Sequence, residues 1–215
     1  MNTVRLVAAT QPLVPECETG GDFVAYAARV SNPSNQANRE TAPRLLEYLK
    51  RHKHWSPYEH ASATVEATTT LDIAMQVLRH RSAKFQQFSL RYAEAIGFVY
   101  RQARRQDEKN RQNSIDDLPS STHRWWRMAQ WVVMKASAWA YRGALKRGIA
   151  KECARCVLPY GNTETRMYIT NDYRSWLHYL DVREEAGTQQ EHRELANAIR
   201  AALAEREPLI FGEGA

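Results

Sequence analysis

The sequence predicts an α+β arrangement within the broad α/β class: one helix-rich domain over residues 1–215 with a small mixed or antiparallel sheet. Three observations predict it. Segments with apolar residues three and four apart are longer and more numerous than alternating ones. The strand-like segments are few and scattered, which argues against a doubly wound sheet. No repeat or linker interrupts the 215 residues, 43% of them hydrophobic and 25% charged, so one chain-long core is expected.

In order, "TVRLVAA" (3–9) reads as the first strand. "GDFVAYAARVSNP" (21–33) spaces Phe23, Tyr26, Ala27 and Val30 at helical intervals, with Pro33 ending the helix. "TAPRLLEYLKRH" (41–52) follows, with Thr41 placed to cap, Pro43 in the first turn and Leu45, Leu46 and Leu49 as the apolar stripe. "ASATVEATTT" (61–70) is Thr-rich and alternates weakly, which suits a strand. "LDIAMQVLRHRS" (71–82) returns to helix, with Leu71, Ala74, Met75 and Leu78 on one face. A strand is expected at "GFVYRQA" (97–103), then a charged, turn-rich excursion over 104–117. The longest helix covers 122–148 and stops at Gly148. A short helix at "AKECARCVL", a strand at "TRMYIT" and helices at "SWLHYLDVRE" and "HRELANAIRAALAERE" complete the chain.

A net charge of +6 favours an anionic partner, whether nucleotide, another phosphorylated ligand or nucleic acid. No apolar run reaches bilayer-spanning length and the N-terminus lacks a signal-peptide apolar core. Three cysteines, an odd number, argue for a reducing compartment, so a cytoplasmic protein is expected. Cys153 and Cys156 form one C-x-x-C without a second pair, and in an apolar run they read as small core residues. "HKHWSPYEH" offers His52, His54 and His60, but Glu59 is their only acidic neighbour. Ser56 to Glu59 therefore reads as the start of a capping box, and no metal is expected. Trp125, Trp126, Trp131 and Trp139 lie on the longest helix and read as core or subunit interface.

The sharpest signal is "RHRSAKFQQFSLRY" (79–92), where no acidic residue appears until Glu94. Cations at a helix end oppose the macrodipole, which accounts for one or two of Arg79, His80 and Arg81. It does not account for Arg91, or for Gln86, Gln87 and Ser89 set between aromatics. Gln76 shares the face of Arg79 and His80. Guanidinium forks beside amides suit a phosphate joined to a heterocycle.

The same stretch fits Arg-His-Arg, seven residues, Ser, and so resembles the signature of the flavin-dependent thymidylate synthases. "YAARVSNP", "HKHWSPYEH", "AMQVLRHR", "FSLRY", "AKECARCVLP" and "YRSWLHYLDVR" resemble that family's other blocks and come in its order. The resemblance implies an α/β fold and a homotetramer with active sites between subunits. The implied reaction makes dTMP from dUMP, with methylenetetrahydrofolate as carbon donor, FAD as hydride carrier and NADPH as reductant. It implies that Ser56, Arg79, His80, Arg81, Gln87, Asp172, Tyr173, Arg174 and His178 contact FAD. Gln76 and Arg79 from one subunit, and Gln87, Ser89, Arg91 and Arg155 from another, contact dUMP. Arg183 matches the arginine that stabilises the N3-deprotonated uracil. Ser31 and His54 fall in blocks lining the flavin region. Arg155 also has a plainer reading as the partner of Glu152 three residues before it.

The chemistry of the residues agrees. None of the three cysteines lies in an electropositive, ligand-facing block, and Ser89 has no base among its near neighbours, so it reads as a hydrogen bond to nucleotide. No G-x-G-x-x-G occurs, which leaves side chains to hold a diphosphate. A second reading is a basic, tryptophan-rich nucleic-acid binder centred on "YRQARRQDEKNR", although acidic residues interrupt that patch. A third follows from position 87, where many family members carry glutamate and this chain has Gln87: a nucleotide- and flavin-binding relative that lacks the synthase reaction.

Overall fold

A computed structural model describes residues 2–212. Strand β1 (Thr3–Ala9) leads to helices α1 (Gly20–Ala28) and α2 (Ala42–Arg51), strand β2 (Ser62–Thr70), helix α3 (Leu71–Val77) and strand β3 (Lys84–Gln87). A small hairpin of β4 (Arg105–Gln106) and β5 (Ser114–Ile115) precedes the long α4 (Ser120–Lys146) and the short α5 (Lys151–Ala154). Strand β6 (Glu164–Asp172) and helices α6 (Tyr173–Glu184), α7 (Gln190–Ala204) and α8 (Pro208–Phe211) close the chain. The four main strands run β1-β2-β6-β3, every pair antiparallel, which resolves the expected small sheet as antiparallel.

Alternation builds the core. Along β2, Ala63, Val65 and Ala67 are buried, and along β6 Thr165, Met167 and Ile169 share that face. Helical spacing brings Tyr173, Trp176 and Leu180 of α6 and Leu195, Ile199 and Leu203 of α7 into the same cluster, with Val24, Leu46 and Ile73 from the other helices. Two buried aromatic polar atoms are tied to backbone: Trp176 Nε1 donates to the Ala63 carbonyl at 3.0 Å and the Tyr58 hydroxyl to that of Leu46 at 2.7 Å. Gly148 takes φ +77° just beyond α4, the left-handed stop its position predicts.

Several expectations are corrected. Helix α1 ends at Ala28 and buries Val24 and Ala25, while Val30 is exposed; its start is fixed instead by a capping box between Thr19 and Asp22. Thr41 does not cap α2, because its hydroxyl accepts from the buried Arg29. Helix α3 stops at Val77, and Met75 is exposed; the chain turns through Arg79–Ala83 and enters β3, which the sequence left unassigned. Residues 97–103 form no strand beyond one bridge from Phe98 to Thr163. The buried Gln130 of α4 takes both the N–H and the carbonyl of Arg101, replacing a ladder neighbour with an amide side chain. Ser56–His60 is a 3₁₀ turn without a capping box, and Glu59 is drawn away to Arg174. Cys153 and Cys156 are exposed, whereas Cys17 is buried. Trp125, Trp131 and Trp139 are also exposed, so they are not core of this chain; Met134 and Tyr141 are the buried apolar residues of α4.

Candidate active site

Helix α6 begins where β6 ends, with Asp172 as N-cap: its carboxylate accepts from the Ser175 N–H at 2.7 Å. From that start, Arg174, His178 and Asp181 recur at helical spacing and line one wall of a cleft of about 720 Å³. Lys50, Lys53, Trp55, Glu59 and Arg200 of α7 also line it, and the Arg174–Glu59 pair joins the two sets of residues. Cationic side chains beside an indole suit an anionic ligand with an aromatic ring. Some of that charge is already engaged: Arg174 pairs with Glu59, and Arg200 makes a two-pronged contact with Glu184 at 2.7 and 2.6 Å. Burial pushes the Lys50 ammonium below its ordinary range, with Arg200 adding to it.

Next to this cleft, His80 meets the last turn of α6. Arg183 Nε donates to His80 Nε2 at 3.0 Å, which requires an unprotonated nitrogen there. Burial is the main cause that pushes His80 down to about 4, and the Arg183 and His178 charges add to it. The ring rests edge-on against Tyr179 with centroids 4.7 Å apart. Arg79 and Arg81 flank it and are exposed. Gln76 makes contacts at 2.7 Å to Gln189 and 3.0 Å to His192.

A second cluster lies beyond the other end of β3. Gln87 Nε2 donates to Thr165 Oγ1 at 3.2 Å. Ser89 Oγ accepts from the Arg91 N–H at 3.3 Å, a local turn contact. Arg91 pairs with Glu152 at 3.2 Å, and Lys151 donates to the Tyr92 carbonyl at 3.2 Å. These contacts dock "FSLRY" onto α5 beside the exposed Arg155, and Glu152 is thus the partner of Arg91, not of Arg155. The 4 residues of β3, about 13 Å of extended chain, separate the two clusters.

The remaining candidates divide. Ser56, His54 and Ser31 are exposed, Ser56 beside the cleft-lining Trp55. The Tyr173 side chain does not line the cleft; it is fully buried, edge-on to Phe211, and a Cβ on Gly20 would meet its hydroxyl at 2.3 Å. Burial, with Glu207 nearby, drives its phenol above the usual range. Sequence reasoning missed Lys50, Lys53, Trp55 and Arg200. Lys53 and Trp55 stand inside a block it had singled out, but their direction depends on how α2 ends.

Among the described residues, no group of three His, Cys, Asp or Glu side chains could hold a metal ion, and no helix is long and apolar enough to cross a membrane. Fold and site together define an α+β protein with a cleft lined by lysine, arginine and histidine beside the carboxylates of Glu59, Asp172 and Asp181. Residues 13–209 match the family model described as thymidylate synthase complementing protein, and the chain belongs to that family. It is 47% identical over 209 residues to a probable flavin-dependent thymidylate synthase of Paramecium bursaria Chlorella virus 1, covering 97% of this chain and 96% of the viral one. It is also 47% identical over 206 residues to the flavin-dependent thymidylate synthase of a Synechocystis strain, covering 96% and 92%. Among solved structures, the UMP/dUMP methylase PolB of Streptomyces cacaoi, bound with 5-Br dUMP, superposes with a TM-score of 0.83 at 26% identity, covering 98% of this chain and 93% of that one.

Proposed function

We propose that the protein methylates dUMP to dTMP, with methylenetetrahydrofolate as carbon donor, NADPH as reductant and FAD bound in the α6 cleft. The observation that carries this reading is the neutral His80 held on Arg183 at the edge of a cationic cleft, within a family whose named relatives are flavin-dependent thymidylate synthases. The lining suits FAD: Arg174 and Lys53 supply positive charge for a diphosphate, His178 a ring nitrogen for a hydrogen bond, and Trp55 an aromatic face. Arg79, His80, Arg81 and Ser56 extend that surface, with Asp172 at the α6 N-terminus; Tyr173, whose N–H donates to the Ala61 carbonyl at 2.9 Å and whose ring is buried, seats the start of α6 beside it. When bound, the flavin supplies the hydride that reduces the transferred carbon.

The side chains then have separable tasks. Arg183 spends its Nε on His80, which leaves its two terminal nitrogens without a partner among the described residues. Aimed at the uracil edge, they stabilise negative charge at N3 and O4. Gln76 and Arg79 serve the nucleotide from one side; Gln87, Ser89, Arg91 and Arg155 serve it from another subunit, consistent with the separation along β3. A homotetramer also accounts for the exposed tryptophans of α4, an apolar face that a lone subunit would leave in water. No enzymic thiolate is needed. Cys17 is buried with its thiol pushed up by burial, then by Asp22 and Glu16. Cys153 and Cys156 make no side-chain hydrogen bond among the described residues that would activate them.

The nucleic-acid reading is weakened by pairing within the suspected patch. Arg101 meets Asp72 at 2.6 Å, Arg104 meets Glu191 at 2.7 Å and Arg105 meets Asp117 at 2.6 Å. The test is tritium release from dUMP labelled at C5. A yellow protein that releases tritium from the labelled dUMP only when methylenetetrahydrofolate and NADPH are both supplied is expected. A colourless protein absorbing at 260 nm, without release, would overturn the proposal. Replacing both Arg81 and Arg174 by alanine should weaken FAD binding, which should also weaken with salt in the parent; unchanged affinity would remove FAD from this cleft.

A further inference from the structure

Behind the site, four elements contribute to one chain of hydrogen bonds whose direction is fixed from one end. The Glu191 carboxylate accepts only; Arg104 holds it at 2.7 and 2.9 Å and Arg101 at 3.3 Å. It receives Gln189 Nε2 at 2.9 Å, so Gln189 turns its Oε1 to Gln76, which donates from Nε2 at 2.7 Å. Gln76 Oε1 therefore faces His192 Nδ1 at 3.0 Å, and the proton of that contact sits on the imidazole. His192 Nε2 is left with its lone pair and accepts from the Tyr179 hydroxyl at 3.1 Å. Reversing the chain would leave the buried Tyr179 O–H without an acceptor and set the Gln76 carbonyl against that of Gln189. His192 and Tyr179 are 0% and 1% exposed, so water does not substitute for either contact. Burial pushes His192 down to about 3, with Arg183 and His80 adding to it, in keeping with a neutral ring.

We infer that His192 is a positioning residue: by holding the Gln76 carbonyl on its Nδ1–H it sets the orientation of the amide, whose Nε2 gives one hydrogen to Gln189 and keeps its second N–H as the donor that position 76 offers to an acceptor oxygen of the nucleotide. This deepens the dUMP reading and rests on it. Tyr179 links the same chain to the other side of the site, since its ring carries His80 and, through it, Arg183.

Two variants separate positioning from simple packing. His192→Leu removes both polar contacts. His192→Asn keeps an amide N–H where Nδ1 stood and can still donate to Gln76. With the flavin-loaded enzyme, His192→Leu should raise KM for dUMP about tenfold with kcat within about twofold, and His192→Asn should remain within about threefold of the parent. In a Gln76→Ala background, His192→Leu should add little. Equal impairment of the two variants, or additive effects with Gln76→Ala, would overturn the inference. Nitrogen-15 spectra of the unsubstituted protein provide a readout independent of turnover and of any folding defect. They should show His192 protonated at Nδ1 and bare at Nε2 at neutral pH, and the opposite tautomer would overturn the inference whatever the substrate. The stated tautomer in a protein that does not bind dUMP would instead sink the nucleotide reading, and with it the role of Gln76 as nucleotide donor.

Discussion

Gln87 shows how a single atom type limits what a position can do. Its amide donates to Thr165 Oγ1, an interaction a carboxylate could replace by accepting from the same hydroxyl. An amide does not ionise, so Gln87 transfers no proton, and the proposed role at this position is to orient a ligand. Gln87→Glu should therefore fold and turn over, and its kcat/KM pH profile should gain at most one ionisation. If the parent proved inert and the variant active, position 87 would be catalytic and the chain a binding relative that has lost the reaction. His80 makes a second residue-scale prediction. Its folded value of about 4 lies below the ordinary value of 6.5, so the unfolded chain binds the extra proton between the two. The associated stability is present above about pH 6.5 and is lost as pH falls towards 4. His80→Gln keeps an acceptor for Arg183 but cannot protonate, so its melting temperature should fall less steeply over that window. Part of the slope should remain, because His192 titrates in the same direction. Parallel slopes would show that His80 is not held neutral.

At the scale of elements, the end of α2 puts a cleft-lining side chain on a strained backbone position. His54 N–H reaches the Leu49 carbonyl at 2.8 Å and Lys53 N–H that of Lys50 at 3.1 Å, a Schellman ending with Lys53 at the left-handed position, φ +57°. Glycine is the residue that takes this geometry without strain, so a lysine there costs about 1 kcal/mol of backbone energy. The return is a cation lining the same cleft as Arg174 and His178. Lys53→Gly should raise stability by roughly 0.5–1 kcal/mol in urea unfolding and weaken FAD binding several-fold. Unchanged FAD affinity would mean that the lysine has no part in the cleft. Helix α6 is the complementary case: its Asp172 cap sets where the helix begins, and thereby which side chains form the Arg174–His178–Asp181 stripe.

For the whole molecule, the separation of the two clusters along β3 sets up a test of whether subunits share a site. Arg79, His80 and Arg183 belong to one cluster; Ser89, Arg91 and Arg155 to the other. If a site takes one cluster from each of two subunits, Arg183→Ala mixed with Arg91→Ala should recover activity in about a quarter of the sites after random exchange. Arg183→Ala mixed with Arg79→Ala should recover almost none, because both lesions fall in the same cluster. Equal failure of both mixtures after verified subunit exchange would count against shared sites.

The strongly periodic elements were legible in the sequence. Long helices α4, α6 and α7 and strands β2 and β6 follow from spacing that each segment carries within itself. So did the chemistry of "RHRSAKFQQFSLRY", since arginine forks and amides have the same donors wherever the chain puts them. What the sequence left open depends on neighbours that lie far along the chain. Only packing decided that α1 buries Val24 rather than Val30, that α3 stops early so the chain can join β6 as β3, and that residues 97–103 lie against Gln130 instead of a strand. The cleft wall of Lys53 and Trp55 depends on how α2 terminates. Gln76 and His192 stand 116 residues apart, and the hydrogen bond between them exists because α3 and α7 pack beside the same sheet. Periodicity is a property of a segment, whereas a buried polar contact is a property of where two segments meet, and that meeting point is set by the whole core.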